Sequence, residues 1–253
     1  MEFTDGELTL FYSRSPQSAS GSDSVPLLFL HGAIGSSREF SHLLPSFSDR
    51  ECILIDFPAH GESTAPSLSY DSRELAATVL RFLQQQNIYT VDIIGYSLGG
   101  YVGIELALHS PIHVRSIVSH AMKFFWTDEA ITTAVGSMEW SVVSQNERRR
   151  DKLNALHVKS GAEQAFKVSQ DIVKGFRVNQ LTIEKVKELR PPILLSVGDH
   201  DELVSLPEIL KLYQGLGQDR SALSVLANTR HPINTVSAEP FAAAARQFWK
   251  AMI

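Results

Sequence analysis

The sequence has little of what secreted, membrane-spanning or nucleic-acid-binding proteins use. Its 253 residues include a single cysteine, Cys52, which cannot form a disulfide within the chain and therefore predicts a reducing compartment. No apolar run approaches the length of a bilayer span, and the opening stretch "MEFTDGELTL" predicts no signal peptide. A net charge of -5 with a pI near 6.0 disfavours a nucleic-acid or anionic-membrane surface. We therefore expect a cytoplasmic protein without nucleic-acid or membrane partners.

Two kinds of cofactor site are also missing from the sequence patterns. The histidines show neither H-E-x-x-H spacing nor clustering with cysteine, so no metal site is indicated. The glycines of "HGAIG", residues 31–35, lack the lysine that a phosphate-binding P-loop requires. We expect neither a metal nor another cofactor.

What the sequence does contain is an alternation of buried strand patterns and helical patterns. Apolar runs such as "VPLLFLHG", "ECILIDFP" and "TVDIIGYS" are each followed by a helical pattern, which is typical of a mostly parallel, doubly wound α/β sheet covered on both faces. The alternation stops after Ala121, because residues 122–190 show only helical patterns, and it resumes at "PPILLSVGDHD". We predict a core formed by residues 1–121 and 191–253, with a helical cap over 122–190 inserted after the sixth strand.

Three shorter predictions concern the first part of the chain. Residues 2–12 alternate around Asp5-Gly6 and predict a hairpin. The polar stretch "SRSPQSASGSDS", residues 13–24, predicts a surface loop. The stretch "SREFSHLLPSF", residues 37–47, predicts a helix.

A serine lies at a sharp turn between a strand and a helix in "VDIIGYSLGG", residues 91–100. The pattern G-x-S-x-G is present as Gly95, Ser97 and Gly99 with one residue between each pair. Such a turn holds its serine in a strained backbone conformation with the side chain lifted clear of the sheet. The motif predicts that Ser97 is a nucleophile.

A serine hydroxyl needs a base to take its proton and a third group to orient that base. In a parallel sheet, such groups meet where the carboxyl ends of the strands converge. Three strand patterns are each followed by a loop with such groups. The first loop, His31 to Gly35, consists mostly of small residues, the second contains Asp199 and Asp201, and the third contains His231. The order serine, acid, histidine is that of an α/β-hydrolase triad.

Four segments together resemble the α/β-hydrolase fold superfamily over roughly residues 25–250: "HGAIGSS", "DFPAHGES", "GYSLGG", and "GDHDELV" followed by "RHP". The resemblance implies Ser97 as nucleophile, His231 as general base and Asp201 as the acid that orients it. It also implies an oxyanion hole formed by the backbone N–H groups of Ala33 and Leu98.

The resemblance also ranks the other polar residues. Asp201 is preferred to Asp199 because the family acid usually lies three residues after the glycine. His31 is expected to brace the oxyanion loop, and Asp92 begins its strand at the wrong end of the sheet. One departure is Arg230, which stands where the family often has a glycine before the histidine.

Four aromatic residues are candidates for the substrate pocket. Phe124, Phe125 and Trp126 come from "KFFW" at the start of the predicted cap, and Tyr96 precedes the nucleophile. For any single ring of "KFFW", packing within the cap is favoured over a place in the pocket, and both interpretations stay open.

The nucleophile, base, orienting acid and oxyanion hole together predict a serine hydrolase. Such an enzyme would cleave a carboxylic ester or thioester of a small molecule through an acyl-enzyme. Carbon–carbon bond hydrolases use the same triad, but often with a G-P-G oxyanion loop that this chain lacks. The menaquinone-pathway synthase that eliminates pyruvate resembles the chain in its loops, but it has an arginine where the chain has Tyr101. A non-enzymatic small-molecule receptor or sensor of the same fold is a further alternative. The oligomeric state is left open.

Overall fold

The computed structural model describes residues 1–15, 25–66, 69–217, 219 and 221–252. Its strands are β1 (Glu2–Asp5), β2 (Leu8–Ser15), β3 (Leu27–Leu30), β4 (Cys52–Ile55), β5 (Val91–Tyr96), β6 (Val114–His120), β7 (Ile193–Gly198) and β8 (Ser221–Leu226). Its helices are α1 (Ser72–Gln85), α2 (Leu98–His109), α3 (Asp128–Ser137), α4 (Trp140–Val143), α5 (Glu147–Leu156), α6 (Ala162–Asn179), α7 (Ile183–Val186), α8 (Leu206–Leu216) and α9 (Ala238–Ala251).

The described strands form one eight-stranded sheet in the order β1-β2-β4-β3-β5-β6-β7-β8. β1 pairs antiparallel with β2 and β2 pairs antiparallel with β4, whereas every other pairing is parallel. The predicted fold class, a mostly parallel doubly wound α/β sheet, is confirmed.

Both faces of the sheet are covered by apolar side chains. Successive residues of a strand point to opposite faces, so Leu28 and Ile93 belong to one buried cluster while Phe29 and Ile94 belong to the other. The central strands are buried along their whole length, which is why they read as continuous apolar runs in the sequence. Asp71 precedes the α1 helix as its N-cap, and its carboxylate accepts the backbone N–H groups of Arg73 and Glu74.

The three predictions for the first part of the chain, a hairpin, a loop and a helix, have different outcomes in the structure. The hairpin is present, since Asp5 pairs with Leu8 and Gly6 takes a positive φ of 60° in the turn. β2 continues to Ser15, so residues 13–15 are strand and not loop, and the rest of the predicted loop lies outside the described residues. The prediction of one helix over residues 37–47 is wrong, because the segment forms two short 3₁₀ helices, Ser37–Phe40 and Leu44–Phe47. Proline at position 45 has no N–H to donate to a continuous helix.

Between β6 and β7 the described residues form α3 to α7 and no strand, as the helical patterns indicate. This helical segment packs on α2: the rings of Tyr101 and Phe176 lie 4.6 Å apart, and the N–H of Leu181 donates to the Tyr101 hydroxyl. The division of the chain into a core and a separate cap domain stays a prediction. None of the described helices combines the length and the apolar composition that crossing a bilayer requires.

Candidate active site

Ser97 stands at the turn from β5 into α2 with φ 51° and ψ −115°, a backbone conformation that non-glycine residues rarely adopt. Two glycines make this turn possible. A Cβ at Gly95 would meet the backbone of Gly100, and a Cβ at Gly99 would clash with the carbonyl oxygen of Leu30 in β3. Strand and helix therefore approach closely enough to expose the serine only because both positions lack a side chain.

An acid and a histidine meet at the same edge of the sheet, after β7 and β8. His231 Nδ1 lies 3.1 and 3.0 Å from the two carboxylate oxygens of Asp201. Asp201 Oδ1 also accepts the backbone N–H groups of Leu203 at 2.9 Å and Val204 at 2.8 Å. Because Nδ1 faces a carboxylate, it holds the ring proton, and Nε2 keeps the lone pair that can act as a base.

The Asp201 side chain is fully buried and nevertheless charged. Burial favours the neutral acid, but the hydrogen bond and charge of His231, together with the two amide donors, outweigh it and hold the pKa of Asp201 below its usual range. The pair is thus set up to stabilise a positive imidazolium when the histidine accepts a proton.

The competing carboxylates occupy other positions. Asp199 is exposed, lies 3.0 Å from the ring of His200 and accepts the N–H of Thr229 at 3.1 Å. Asp92 lies at the opposite end of the sheet, where Arg50 pairs with it at 2.7 Å. Neither contacts His231.

A cavity of about 460 Å³ lies at the strand-to-helix turn that bears Ser97 (the elbow), and its wall includes both Ser97 and His231. Ala33 and Leu98 also line it, and in the part of the chain that the structure describes their N–H groups donate to no protein acceptor. No hydrogen bond joins Ser97 Oγ to His231 among the described contacts; such bonds are often long in the absence of substrate. The remaining wall is mostly apolar and comes largely from the helical segment and α2, including Tyr101, Trp126, Ala130, Ala134, Val173 and Phe176.

Of the four aromatic pocket candidates, the structure brings one to the cavity. Trp126 lines the wall and stacks on Phe176 with ring centroids 5.0 Å apart. Phe124 is buried in the core against Phe125, and Phe125 lies under Lys211, whose Nζ is 4.4 Å from the ring centroid.

Tyr96, the fourth candidate, packs behind the site and does not line the cavity. Its ring lies 5.5 Å from that of His231 and 6.4 Å from that of His120. Burial raises the pKa of its phenol, so the hydroxyl stays protonated. Tyr96, Phe124 and Phe125 thus lie outside the wall of the cavity that contains Ser97.

Sequence reasoning missed Glu202, which lines the cavity and accepts the backbone N–H of His231 at 3.3 Å. Its carboxylate also pairs with the exposed Arg230 at 3.4 Å. The Arg230 side chain, at the position where the resemblance departs from the family, is thus held by the carboxylate of Glu202. No sequence motif identifies Glu202.

The loop after β3 is braced from beneath. His31 accepts the N–H of Phe57 on Nε2 at 2.9 Å, and its Nδ1 lies 2.7 Å from the carbonyl oxygen of Gly32. Glu39 lies under the same loop, with a carboxylate oxygen that is buried and has no partner among the described residues. Burial raises the pKa of Glu39 to about 8, although a hydrogen bond from Gly32 opposes the shift. Sequence patterns do not single out this acid.

Comparison with known proteins agrees with this geometry. A family model described as the alpha/beta hydrolase fold matches residues 25–157, more than half of the chain. An uncharacterized hydrolase, YugF of Bacillus subtilis, is 24% identical over 230 residues, which cover 81% of this chain and 82% of the relative. The 2-succinyl-6-hydroxy-2,4-cyclohexadiene-1-carboxylate synthase of Pectobacterium atrosepticum is 40% identical over 81 residues, 31% of this chain and 30% of the synthase.

Solved structures resemble the chain along nearly its full length. An enol-lactonase from Burkholderia xenovorans superposes with a TM-score of 0.77 at 15% identity, covering 99% of this chain and 100% of that one. A thermophilic esterase from Thermogutta terrifontis superposes with a TM-score of 0.79 at 15% identity, covering 98% and 96%. The sheet order, the strained serine between two glycines and the family match agree, and the chain belongs to the alpha/beta hydrolase fold family.

Proposed function

We propose that the protein is a serine hydrolase that cleaves the carboxylic ester or thioester of a small molecule. The observation that supports this most strongly is the shared cavity wall of Ser97 and His231, with His231 held by the buried carboxylate of Asp201. A strained serine beside an acid-paired histidine suits nucleophilic acyl transfer. The unbonded N–H groups of Ala33 and Leu98 at the same cavity suit an oxyanion hole.

In the proposed reaction, Ser97 Oγ attacks the carbonyl carbon while its proton passes to Nε2 of His231. Asp201 stabilises the imidazolium, and the two N–H groups bind the oxyanion, each being worth about 3 kcal/mol by comparison with other such donors. The tetrahedral intermediate expels the alcohol or thiol, which takes the proton from His231. Water then gives a proton to His231 and attacks the acyl-enzyme. The second tetrahedral intermediate expels Ser97 Oγ, which takes the proton back from His231 as the carboxylic acid is released.

Residues 122–190 are proposed as the cap that selects the substrate, because α3 and α6 supply much of the cavity wall. The apolar lining favours an apolar acyl group. The charges at the cavity argue against an anionic one, since Glu129 and Glu202 line it and Lys123 is paired with Glu208 at 3.2 Å. An unpaired carboxylate of the substrate would be costly to bury there.

Labelling with a fluorophosphonate tests the nucleophile. The wild-type protein should be modified on Ser97, and Ser97→Ala should lose both labelling and several powers of ten in ester turnover. Ser110→Ala is a matched control at the other end of α2, where the hydroxyl contacts His113 at 2.8 Å, and it should label normally. Equal labelling of Ser97→Ala would place the nucleophile elsewhere. Labelling without turnover on any ester of a graded panel would favour the receptor alternative.

A second candidate function is pyruvate elimination, favoured by the partial match to the Pectobacterium atrosepticum synthase. The structure offers little to bind a multiply acidic substrate: the Tyr101 hydroxyl accepts the N–H of Leu181, and Arg148 and Arg149 are exposed on α5. Among the described residues lining the cavity, Lys123 is the lone lysine or arginine, and it is paired.

Assaying both substrates side by side on the purified protein, with Ser97→Ala as the blank, separates the two functions. We expect measurable hydrolysis of small neutral esters and negligible elimination. Efficient elimination with weak esterase activity would overturn the hydrolase proposal in favour of the synthase.

A further inference from the structure

The turn that presents Ala33 to the cavity contains a strained residue. The N–H of Gly35 donates to the carbonyl oxygen of Gly32 at 3.2 Å, so residues 32–35 form a β-turn with Ala33 and Ile34 at its centre. Ile34 has a φ of 54°. In β-turns of type II the third residue has a positive φ, and it is normally glycine or asparagine. A β-branched residue is an outlier in this region of φ, and the turn therefore needs other contacts to hold it.

Those contacts come from the helical segment, far away in sequence. The N–H of Ile34 donates to Ser169 Oγ on α6 at 3.1 Å. The carbonyl oxygen of Ile34 lies 3.1 Å from His157 Nε2, just past the end of α5. Ser169 and His157 are both fully buried. The two side chains thus hold both backbone polar groups of the strained residue, in a region where a lost partner is costly.

The hydrogen-bond directions of this arrangement are determined by the surrounding backbone. His157 Nδ1 accepts the N–H of Gly61 at 3.0 Å, so the ring proton is on Nε2 and points to Ile34. His60 Nδ1 lies 2.9 Å from the carbonyl oxygen of Pro58, so His60 Nε2 is an acceptor for the Ser169 hydroxyl, also at 2.9 Å. Ser169 therefore donates to His60 and accepts from Ile34.

Both histidines stay neutral at ordinary pH, as these bonds require. Burial, and to a smaller extent the proximity of His31, lowers the pKa of His157 to about 4. Burial lowers the pKa of His60 well below its usual value, and His31 and His157 add to that shift. Asp56, the nearby acid, accepts the N–H groups of Ser37 and Glu62.

We propose that Ser169 and His157 are positioning residues that fix the Ile34 turn and thereby aim the Ala33 N–H at the reacting carbonyl. This inference rests on the proposed function, because it assigns the helical segment a part in building the oxyanion hole. Loss of either anchor lets the turn relax toward negative φ at Ile34, and the movement passes through Ala33 to the Gly32–Ala33 peptide, which contains the donor. The effect falls on the transition state, because the donor binds most strongly to the charge that develops there.

The experiment compares Ser169→Ala with Ser160→Ala on one neutral ester. Ser160 also donates a hydroxyl from the helical segment to the core, to the carbonyl oxygen of Ser63 at 3.1 Å, but it does not contact Ile34. Ser169→Ala should lower kcat by between roughly ten- and a hundredfold with little change in KM. It should weaken inhibition by a trifluoromethyl ketone, whose adduct with Ser97 bears an oxyanion, by a similar factor. Ser160→Ala should leave both quantities near the wild-type values.

Two further variants keep the test decisive. His157→Gln, which retains an N–H donor, should cost less kcat than His157→Ala, and this comparison replaces Ser169→Ala if that variant does not fold. In an Ile34→Gly background the strain is absent, so Ser169→Ala should cost markedly less kcat than in the wild type.

The outcomes separate this inference from the proposed function. If wild-type turnover and Ser97 labelling are present but Ser169→Ala matches Ser160→Ala in kcat and in ketone inhibition, the positioning role is wrong and the hydrolase proposal survives. A rise in KM alone would also overturn it, because that result indicates a loss of substrate binding. Absence of wild-type turnover would overturn both.

Discussion

Replacing Asp201 with asparagine tests the assignment of the acid without changing the shape of the side chain. Asp201 Oδ1 accepts two backbone N–H groups, at 2.9 and 2.8 Å, so the amide oxygen of the variant should keep that position. The amide NH₂ then replaces Oδ2, which lies 3.0 Å from His231 Nδ1. A donor at that position favours Nδ1 as an acceptor with the ring proton on Nε2, in competition with the amide oxygen at the Oδ1 position, which lies 3.1 Å from Nδ1. In the favoured tautomer the histidine cannot take the serine proton.

The expected loss is large. The corresponding substitution in a well-studied serine protease lowers kcat about ten-thousandfold through the wrong tautomer, which corresponds to about 5 kcal/mol of transition-state stabilisation. Asp199→Asn is the matched control, because that carboxylate is exposed and contacts the backbone of Thr229 and Asn228 and the ring of His200, but not His231. A surface change of this kind alters the free energy of unfolding by no more than about 0.5 kcal/mol, and kcat should stay near the wild-type value.

Both variants should be assayed at pH 7 on the same ester, with thermal denaturation as a check on folding. Ser97 labelling by a fluorophosphonate should slow strongly in Asp201→Asn and stay near the wild-type rate in Asp199→Asn. Retention of more than a tenth of the wild-type kcat by Asp201→Asn, or the reverse ranking of the two variants, would refute the assignment.

Two other predictions concern the cavity wall and the buried acid. Trp126→Ala should shift the preferred acyl chain of an ester panel toward longer or bulkier groups, because Trp126 lines the cavity, whereas Phe125→Ala should leave the profile unchanged; identical profiles for both variants would contradict this. Burial raises the pKa of Glu39 from 4.5 to about 8, so its contribution to stability is complete below pH 4.5 and is lost as the pH rises to about 8, a change of up to about 5 kcal/mol. Glu39→Gln should therefore gain in melting temperature relative to wild type between pH 5 and pH 8, and a constant difference would show that Glu39 is ionised in the folded protein.

The elbow and the acid–histidine pair could be predicted from sequence because each needs particular residue types at fixed short spacings. A Cβ at Gly95 or Gly99 meets backbone atoms that cannot move, so the G-x-S-x-G pattern records a steric requirement. The carboxylate of Asp201 and the ring of His231 follow adjacent parallel strands, and parallel strands bring their carboxyl ends to one edge. Requirements of this kind involve a few residues at short spacings, so they can be recognised in the sequence without knowing how the rest of the chain packs.

The cavity wall could not be predicted in the same way. In "KFFW" three consecutive aromatic residues have equal propensity to line a pocket, yet only Trp126 reaches the cavity, while Phe124 is buried in the core. Which ring faces the cavity depends on how the helical segment packs on α2, through contacts such as that of Tyr101 with Phe176. Those contacts join residues far apart in sequence, and no short pattern records them.

Ser169 and His157 could not be predicted from the sequence for the same reason, because they contact Ile34 from far away along the chain. In the proposed architecture, the core performs the chemical step and the cap selects the substrate. Cap helices that only enclosed substrate could vary freely without affecting the chemical step. Here the contacts of Ile34 with Ser169 and His157 tie the loop bearing Ala33 to the helical segment at both of its backbone polar groups. Changes in α5 or α6 that alter the cavity should therefore also alter kcat whenever they move either anchor. The proposed roles of the helical segment and of Ala33 therefore predict that selectivity and rate are coupled through one strained residue, Ile34.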